Sequence, residues 1–352
     1  MTGMVTTVLG QVPASALGTT LTHEHLSMSF DVCFVPPPSR QSTRAQLPWT
    51  LEHAHWIRQH PYSHADNIVL NDEAAESAVR QSVAAFKAAG GGCLVENSTF
   101  GLHRHTAFLA DLARDTGVHV VAGTGYYVAG AQTESSLNLS VEQCEDHMRA
   151  ELTHGCVDNP NVRAGIMGEI GCSFPLHAFE RKVVQACAQV QQETGFAVTF
   201  HPGRDAQSPS EIMDVFLEAG GTRERAIMGH LERTIKDPAE LLDLAQSGVY
   251  CQFDLFGIEN SYYQLAGAID FPSDAQRMDM IKLLVEHGFE DQILVAHDIH
   301  TKHRLEQYGG HGFAHLLDHA IPKMKAHKGF TAETIHKILV DNPARILAQV
   351  PH

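Results

Sequence analysis

Residues 20–30, TLTHEHLSMSF, set two histidines one residue apart inside a short apolar run near the amino terminus. Read as a strand, the run turns His23 and His25 to one side and Glu24 to the other, because strand side chains alternate. Seven more runs rich in Val, Ile and Gly follow: GCLVENST (92–99), HVVAGTGYYV (119–128), AGIMGEIGCS (164–173), AVTFHPG (197–203), AIMGHLER (226–233), VYCQFDLFG (249–257) and ILVAHDIH (293–300). Between them lie polar segments with helical spacing. Residues 71–91, for example, open on an Asn-Asp cap signal and close on glycine. Near-continuous apolar strands alternating with helices call for a parallel sheet buried on both faces. Eight such units point to a TIM (β/α)8 barrel rather than an open doubly wound sheet, and no G-x-G-x-x-G follows any run.

A chain of 352 residues fits one such barrel with long rim loops, and no composition shift marks a second domain within residues 1–352. The first loop is an insertion at about residues 31–71, with a short helix expected around Trp49 to Gln59. Residues 257–273 and 301–322 form further long segments after the seventh and eighth strands. Loops that follow barrel strands build the mouth, so these segments should shape a pocket. Hydrophobic residues make up 43% and charged residues 19%, an ordinary mix with ample material for a core. The formal charge of −16, without a basic block, argues against nucleic acid and membranes as partners. No secretory signal or membrane span is read in the chain. The seven cysteines are scattered and form no C-x-x-C, which suggests reduced thiols in a cytoplasmic protein and no cysteine zinc knuckle.

By itself the histidine pair says little. With 24 histidines, chance gives about two H-x-H pairs, and three occur: His23/His25, His53/His55 and His103/His105. The latter two lie in helical or loop segments and read as surface histidines. The other strand ends carry more weight: Glu169 in GEIG, His201 in FHPG, His230 in GHLER and Asp298 in AHDIH. Singly, each has an ordinary explanation, a hydrogen-bonded core histidine or a capping aspartate. Jointly, four imidazoles and two carboxylates would converge on one rim of the barrel. That is too many ligands for one catalytic zinc, which takes three protein ligands and a water. It suits two metals about 3.5–4 Å apart. The natural division gives His23, His25 and Asp298 to one ion and His201 and His230 to the other, with Glu169 bridging. Imidazole and carboxylate suit zinc, with manganese, iron and cobalt open.

The stretches TLTHEHLSM, GEIGCS, HPGR, FDLFG, ILVAHDIHTK and YGGHG resemble those of the phosphotriesterase family of the amidohydrolase superfamily. The similarity is closer still to its vertebrate phosphotriesterase-related members and covers nearly the whole chain. Where bacterial phosphotriesterases carry a carboxylated lysine as bridging ligand, this chain has Glu169, which needs no carbon dioxide but has a shorter arm. The resemblance implies hydrolysis of N-acetyltaurine to taurine and acetate, with some action on related N-acetyl amino compounds. The expected chemistry is attack of a metal-bridging hydroxide on the amide carbonyl, with Asp298 accepting the proton and delivering it to the leaving amine.

A small anionic N-acyl substrate calls for a cation at the same rim. Arg204 and Arg233 each follow a strand-end histidine by three residues, and Arg204, on a short glycine-linked loop, is the preferred candidate. His300 and Lys302 are further candidates, and Tyr126, Tyr127 and Asn97 are candidates to line the pocket. Fold alone does not fix the substrate. An esterase, lactonase or phosphotriesterase on the same metal ligands and a non-catalytic ligand-binding barrel are the competing readings, and a homodimer is left open.

Overall fold

The computed structural model describes residues 3–259 and 262–349. A hairpin of β1 (Met4–Thr7) and β2 (Gly10–Pro13) precedes eight barrel strands. These are β3 (Thr19–Glu24), β4 (Gly91–Glu96), β5 (His119–Thr124), β6 (Ile166–Gly171), β7 (Val198–His201), β8 (Ala226–Met228), β9 (Tyr250–Phe253) and β10 (Ile293–Val295). Six fall inside the apolar runs and β3 and β4 begin one residue before theirs, and neighbours pair in parallel in chain order from β3 to β10. Helices connect them, as expected of a (β/α)8 barrel. The hairpin is an addition that the sequence did not announce.

Strand alternation sorts the side chains into two cores. Cys93, Val95, Val121, Ile166, Ala197, Ile227 and Leu294 gather inside the barrel with Val5 of β1 and with Ile346 and Leu347 of the last helix, Asn342–Leu347. Hydrogen bonds from Val8 N to Val120 O and from Gln349 N to Met4 O fix this plug at the amino ends of the strands. The alternate positions, Leu94, Val120, Ala122, Val198, Met228 and Val295, face outward and meet the helices. The helix Glu73–Ala88 shows how that layer forms. Asp72 caps it by accepting from Ala75 N, and Ala75, Ala78, Val79, Val83 and Phe86, at helical spacing, are its buried face.

The seam between the last and first strands is made differently from the other joints. Asp298 N donates to His23 O at 3.1 Å, and the Glu24 carboxylate does the rest. It accepts from His297 N at 2.8 Å, from Ile299 N at 3.2 Å and from His297 Nδ1 at 2.8 Å. The proton on His297 Nδ1 follows from the other ring nitrogen, since Nε2 accepts from Leu316 N. Glu24, expected only to face away from the histidine pair, is thus fully buried and clips β3 to the segment after β10.

Long segments separate β3 from the helix Glu73–Ala88 and follow β9 and β10. The first of these, which includes the insertion at about residues 31–71, holds 3-10 turns and the helix Leu51–Gln59, and Phe30, just before the insertion, and Tyr62 within it reach the mouth. Gln264, from the loop after β9, accepts from Tyr62 N at 3.1 Å and donates to Ser63 Oγ at 2.7 Å, so the two loops are clasped over the barrel. Among the described residues, no helix is long and apolar enough to cross a membrane.

Glu24→Ala would leave three buried donors unpaired, at a cost of about 3 kcal/mol. The expected result is a melting temperature lower by roughly 4 °C. An unchanged melting curve would show that the seam holds without the carboxylate.

Candidate metal centre

Five strands each bring a candidate ligand to one end of the barrel. His23 and His25 come from the end of β3, Glu169 from β6 and His201 from the last position of β7. His230 and Asp298 lie just past β8 and β10, and all six are buried. Local backbone explains part of the placement. Gly168, before Glu169, has φ 129°, and a Cβ there would lie 2.5 Å from Thr199 O, so only glycine lets β6 lie this close to β7. His230 and Asp298 adopt left-handed φ values of 51° and 53°. Such conformations cost about 1 kcal/mol or more each for residues with a Cβ, and they concentrate at functional sites.

The six side chains meet around Glu169. Its Oε1 lies 3.3 Å from His25 Nε2. Its Oε2 lies 3.5 Å from His23 Nε2, 2.7 Å from His201 Nδ1 and 3.4 Å from His230 Nε2. Asp298 Oδ1 is 3.1 Å from His25 Nε2 and 3.8 Å from His23 Nε2. His230 Nε2 and His201 Nδ1 approach to 2.8 Å. Two sets result, His23–His25–Asp298 and His201–His230, with Glu169 between them. The shorter arm of glutamate therefore reaches both sets.

Whether these groups suit a cation is answered by their chemistry. His23 Nε2 is buried and has no hydrogen-bond partner among the described residues. Burial alone would lower the pKa of His25, yet the Asp298 and Glu169 carboxylates hold it at about 10. Burial would likewise raise Glu169 and Asp298, but the imidazoles around them hold both well below the ordinary carboxylate range. His201 is pushed down to about 3 by burial, helped by nearby His230 and Arg233, and is neutral, the form that binds metals. Convergent nitrogen and carboxylate donors with one orphaned ring nitrogen fit a divalent ion.

Outer partners fix which nitrogen each ring presents. Asp254 holds His230 Nδ1 at 2.7 Å and His23 Nδ1 at 3.1 Å, so both rings turn Nε2 inward. Ser98 Oγ does the same for His25 through Nδ1 at 2.9 Å. Asp254 also accepts from His230 N and from Gln252 Nε2. Burial would raise its pKa, but His230 and His23 hold it well below the usual range. Asp254 lies in the FDLFG stretch, and no role for it was evident from the sequence. The available signal was its position, an acidic residue ending the one barrel strand given no ligand between two that had them.

Above the donors lies a narrow cleft with a cavity of about 30 Å3, lined by Met28, Phe30, Leu255 and Phe271 among others. Tyr127, His300, Arg204 and Arg233 line it too. Tyr127 Oη is 3.5 Å from His201 Nε2, and His300 Nδ1 lies 2.7 Å from Asp298 O with Nε2 3.0 Å from Tyr62 Oη. Arg204 Nε and Nη2 both donate to Tyr263 Oη, at 3.1 and 2.8 Å. Arg233 Nη2 lies 3.1 Å from Pro202 O and 3.3 Å from His201 Nε2, while Nη1 has no partner among the described residues. Burial and then the adjacent charge of Arg204 lower the Arg233 pKa.

Three candidates lie elsewhere. Asn97 is not among the lining residues, because its Nδ2 donates to Thr22 O within the barrel wall. Lys302 pairs with Asp66 and Asp72 at the outer rim, and Tyr126 packs edge-on against Phe179.

Comparison with known proteins places this geometry. The chain matches the model of the Phosphotriesterase family over residues 3–347. It is 47% identical over 347 residues, 99% of its length and 98% of the other's, to a protein of Homo sapiens named N-acetyltaurine hydrolase. A resiniferatoxin-binding protein from Rhodobacter sphaeroides superimposes with a TM-score of 0.93 at 32% identity, covering 98% of this chain and 95% of that one. A phosphotriesterase homology protein from Escherichia coli, solved with phosphate in its active site, gives a TM-score of 0.77 at 25% identity over 94% of this chain and 99% of that one.

Asp254→Asn replaces one accepting oxygen with a donor, so one of the two imidazoles must flip or lose its support. Affinity for divalent metal, measured by chelator competition, is expected to fall about 10–100-fold. Equal affinity in the variant would mean that Asp254 does not set the ring orientations.

Proposed function

The chain belongs to the phosphotriesterase family of metal-dependent hydrolases, and from that premise we propose that it is a binuclear amidohydrolase cleaving N-acetyltaurine, or a close acidic N-acylamine. Water adds across the amide bond to give acetate and the free amine. The observation that carries this reading is Glu169 standing between two sets of inward-facing donors. The relative named N-acetyltaurine hydrolase, matched over almost its whole length, supports the substrate.

His23, His25 and Asp298 would hold one ion and His201 and His230 the other, with Glu169 shared; zinc suits these donors best. Bound there, the ions supply Lewis acidity toward the acyl oxygen and lower the pKa of nearby water. The residues supply the rest. Asp298 Oδ1, facing the cleft beside His25, accepts a proton from the attacking water and returns it to the leaving nitrogen. His300, 3.3 Å from the same oxygen through Nδ1, orients it. Phe30, Tyr62, Tyr127 and Tyr263 roof the cleft and keep bulk water from the reacting bond. The seven cysteines, all free, suit a reducing cytoplasm.

Removing the metal with a chelator, or substituting Glu169→Ala, is expected to lower hydrolysis of N-acetyltaurine about 1,000-fold or more, with zinc restoring the chelated wild type only. The same preparations assayed on a lactone and a phosphotriester test the substrate class. Turnover of those with none on any N-acylamine would overturn the amidase reading.

A further inference from the structure

We propose that Arg233 and Arg204 form an oxyanion subsite in the cleft, with Arg233 as its primary ligand, which takes the sulfonate carried by the amine half of the substrate. This deepens the amidase reading and rests on it only for the bond that is cut; the subsite itself is read from the arginines.

Arg233 is 4% exposed. A guanidinium that deeply buried ordinarily faces a carboxylate. Among the described residues, neither Arg233 nor Arg204 forms an ion pair, and Arg233 Nη1 has no hydrogen-bond partner at all. Both line the cleft that Glu169 and Asp298 also line. Two cationic groups in one cleft, neither in ion-pair contact with a carboxylate among the described residues, are arranged for an anion from outside.

The second donor follows from His201. Its Nδ1 is the nitrogen that faces Glu169 and His230, so as a ligand the ring must carry its proton on Nε2. The 3.3 Å approach of Arg233 Nη2 to that Nε2 then sets donor against donor and is no hydrogen bond. Nη2 keeps Pro202 O and has one N–H to spare. Adjacent Nη1 and Nη2 donors make the fork that grips two oxygens of one oxyanion.

Arg204 has a different task. Its Nε and Nη2 are occupied by Tyr263, which leaves Nη1 and the charge itself, and it ties the subsite to the loop after β9. The preference for Arg204 drawn from its short loop is therefore reversed. Met28, Phe30, Leu255 and Phe271 give the cleft an apolar lining suited to the hydrocarbon part of the substrate.

The test uses the metal-loaded protein and ethanesulfonate as probe, followed by calorimetry, with Arg233→Gln and the charge-keeping Arg233→Lys. Ethanesulfonate is expected to bind wild type at millimolar concentrations, at least about 10-fold more weakly to Arg233→Gln, and with intermediate affinity to Arg233→Lys. The ratio of kcat/KM for N-acetyltaurine to that for neutral N-acetylethanolamine should fall about 100-fold in Arg233→Gln. If Arg233→Gln does not fold, Arg233→Lys carries the same comparison. No probe binding to wild type, or equal binding to the variants, or an unchanged ratio, overturns the subsite. Because the probe is not cleaved, binding that depends on Arg233 in a protein that hydrolyses no acylamine would retain the subsite and reject the amidase.

Discussion

The first and last barrel strands are joined at their carboxyl ends chiefly through the Glu24 side chain, and the rest of the site is built on that joint. In a parallel barrel each strand pair is held by a ladder of backbone bonds, and here the other seven joints are. At the eighth, a carboxylate gathers the amides of His297 and Ile299, the residues on either side of Asp298. The distance from His23 and His25 to Asp298 is therefore set by one residue of the same THEH motif. Three consecutive positions serve two purposes, the outer pair facing the cleft and the middle one closing the wall behind them.

The buried charges around the centre are best understood as placement rather than as stability. Taking a carboxylate out of water costs several kcal/mol, and even a well-made buried pair roughly recovers that cost. Glu24, Asp254, Glu169 and Asp298 each have a defined set of donors, so each is fixed in direction. Asp254 is the clearest case: its two oxygens orient two rings from different strands at once. Arg304 extends the pattern by donating to the carbonyls of His297, Asp298 and Phe256, holding the turn in which Asp298 takes its left-handed backbone. Arg233 breaks it, and the exception falls where a substrate would lie.

How much of this was legible in the sequence follows from what repeats. Buried strands of a parallel sheet announce themselves as apolar runs, so all eight barrel strands, and the ligand candidates ending five of them, could be located by counting along the chain. The β1–β2 hairpin could not, because four-residue strands of mixed polarity, MVTT and GQVP, carry too few periods to show alternation. Asn97 and Lys302 were placed by proximity to a strand end, but proximity does not fix direction. Asn97 turns to the Thr22 carbonyl and Lys302 to two surface aspartates. Tyr62 and Tyr263 escaped notice for the opposite reason. They sit in loops without periodicity, and only the folded chain brings them over the cleft.

The plug formed by β1 and the last helix makes the barrel a blind vessel. Val5, Ile346 and Leu347 fill its floor, while Tyr62 and Tyr263 roof the opposite end under the Gln264 clasp. Whatever the cleft takes in must therefore enter and leave on the loop side of the barrel. Two fragments of a cleaved molecule would have to depart on that same side, past the loops that carry Tyr62 and Tyr263.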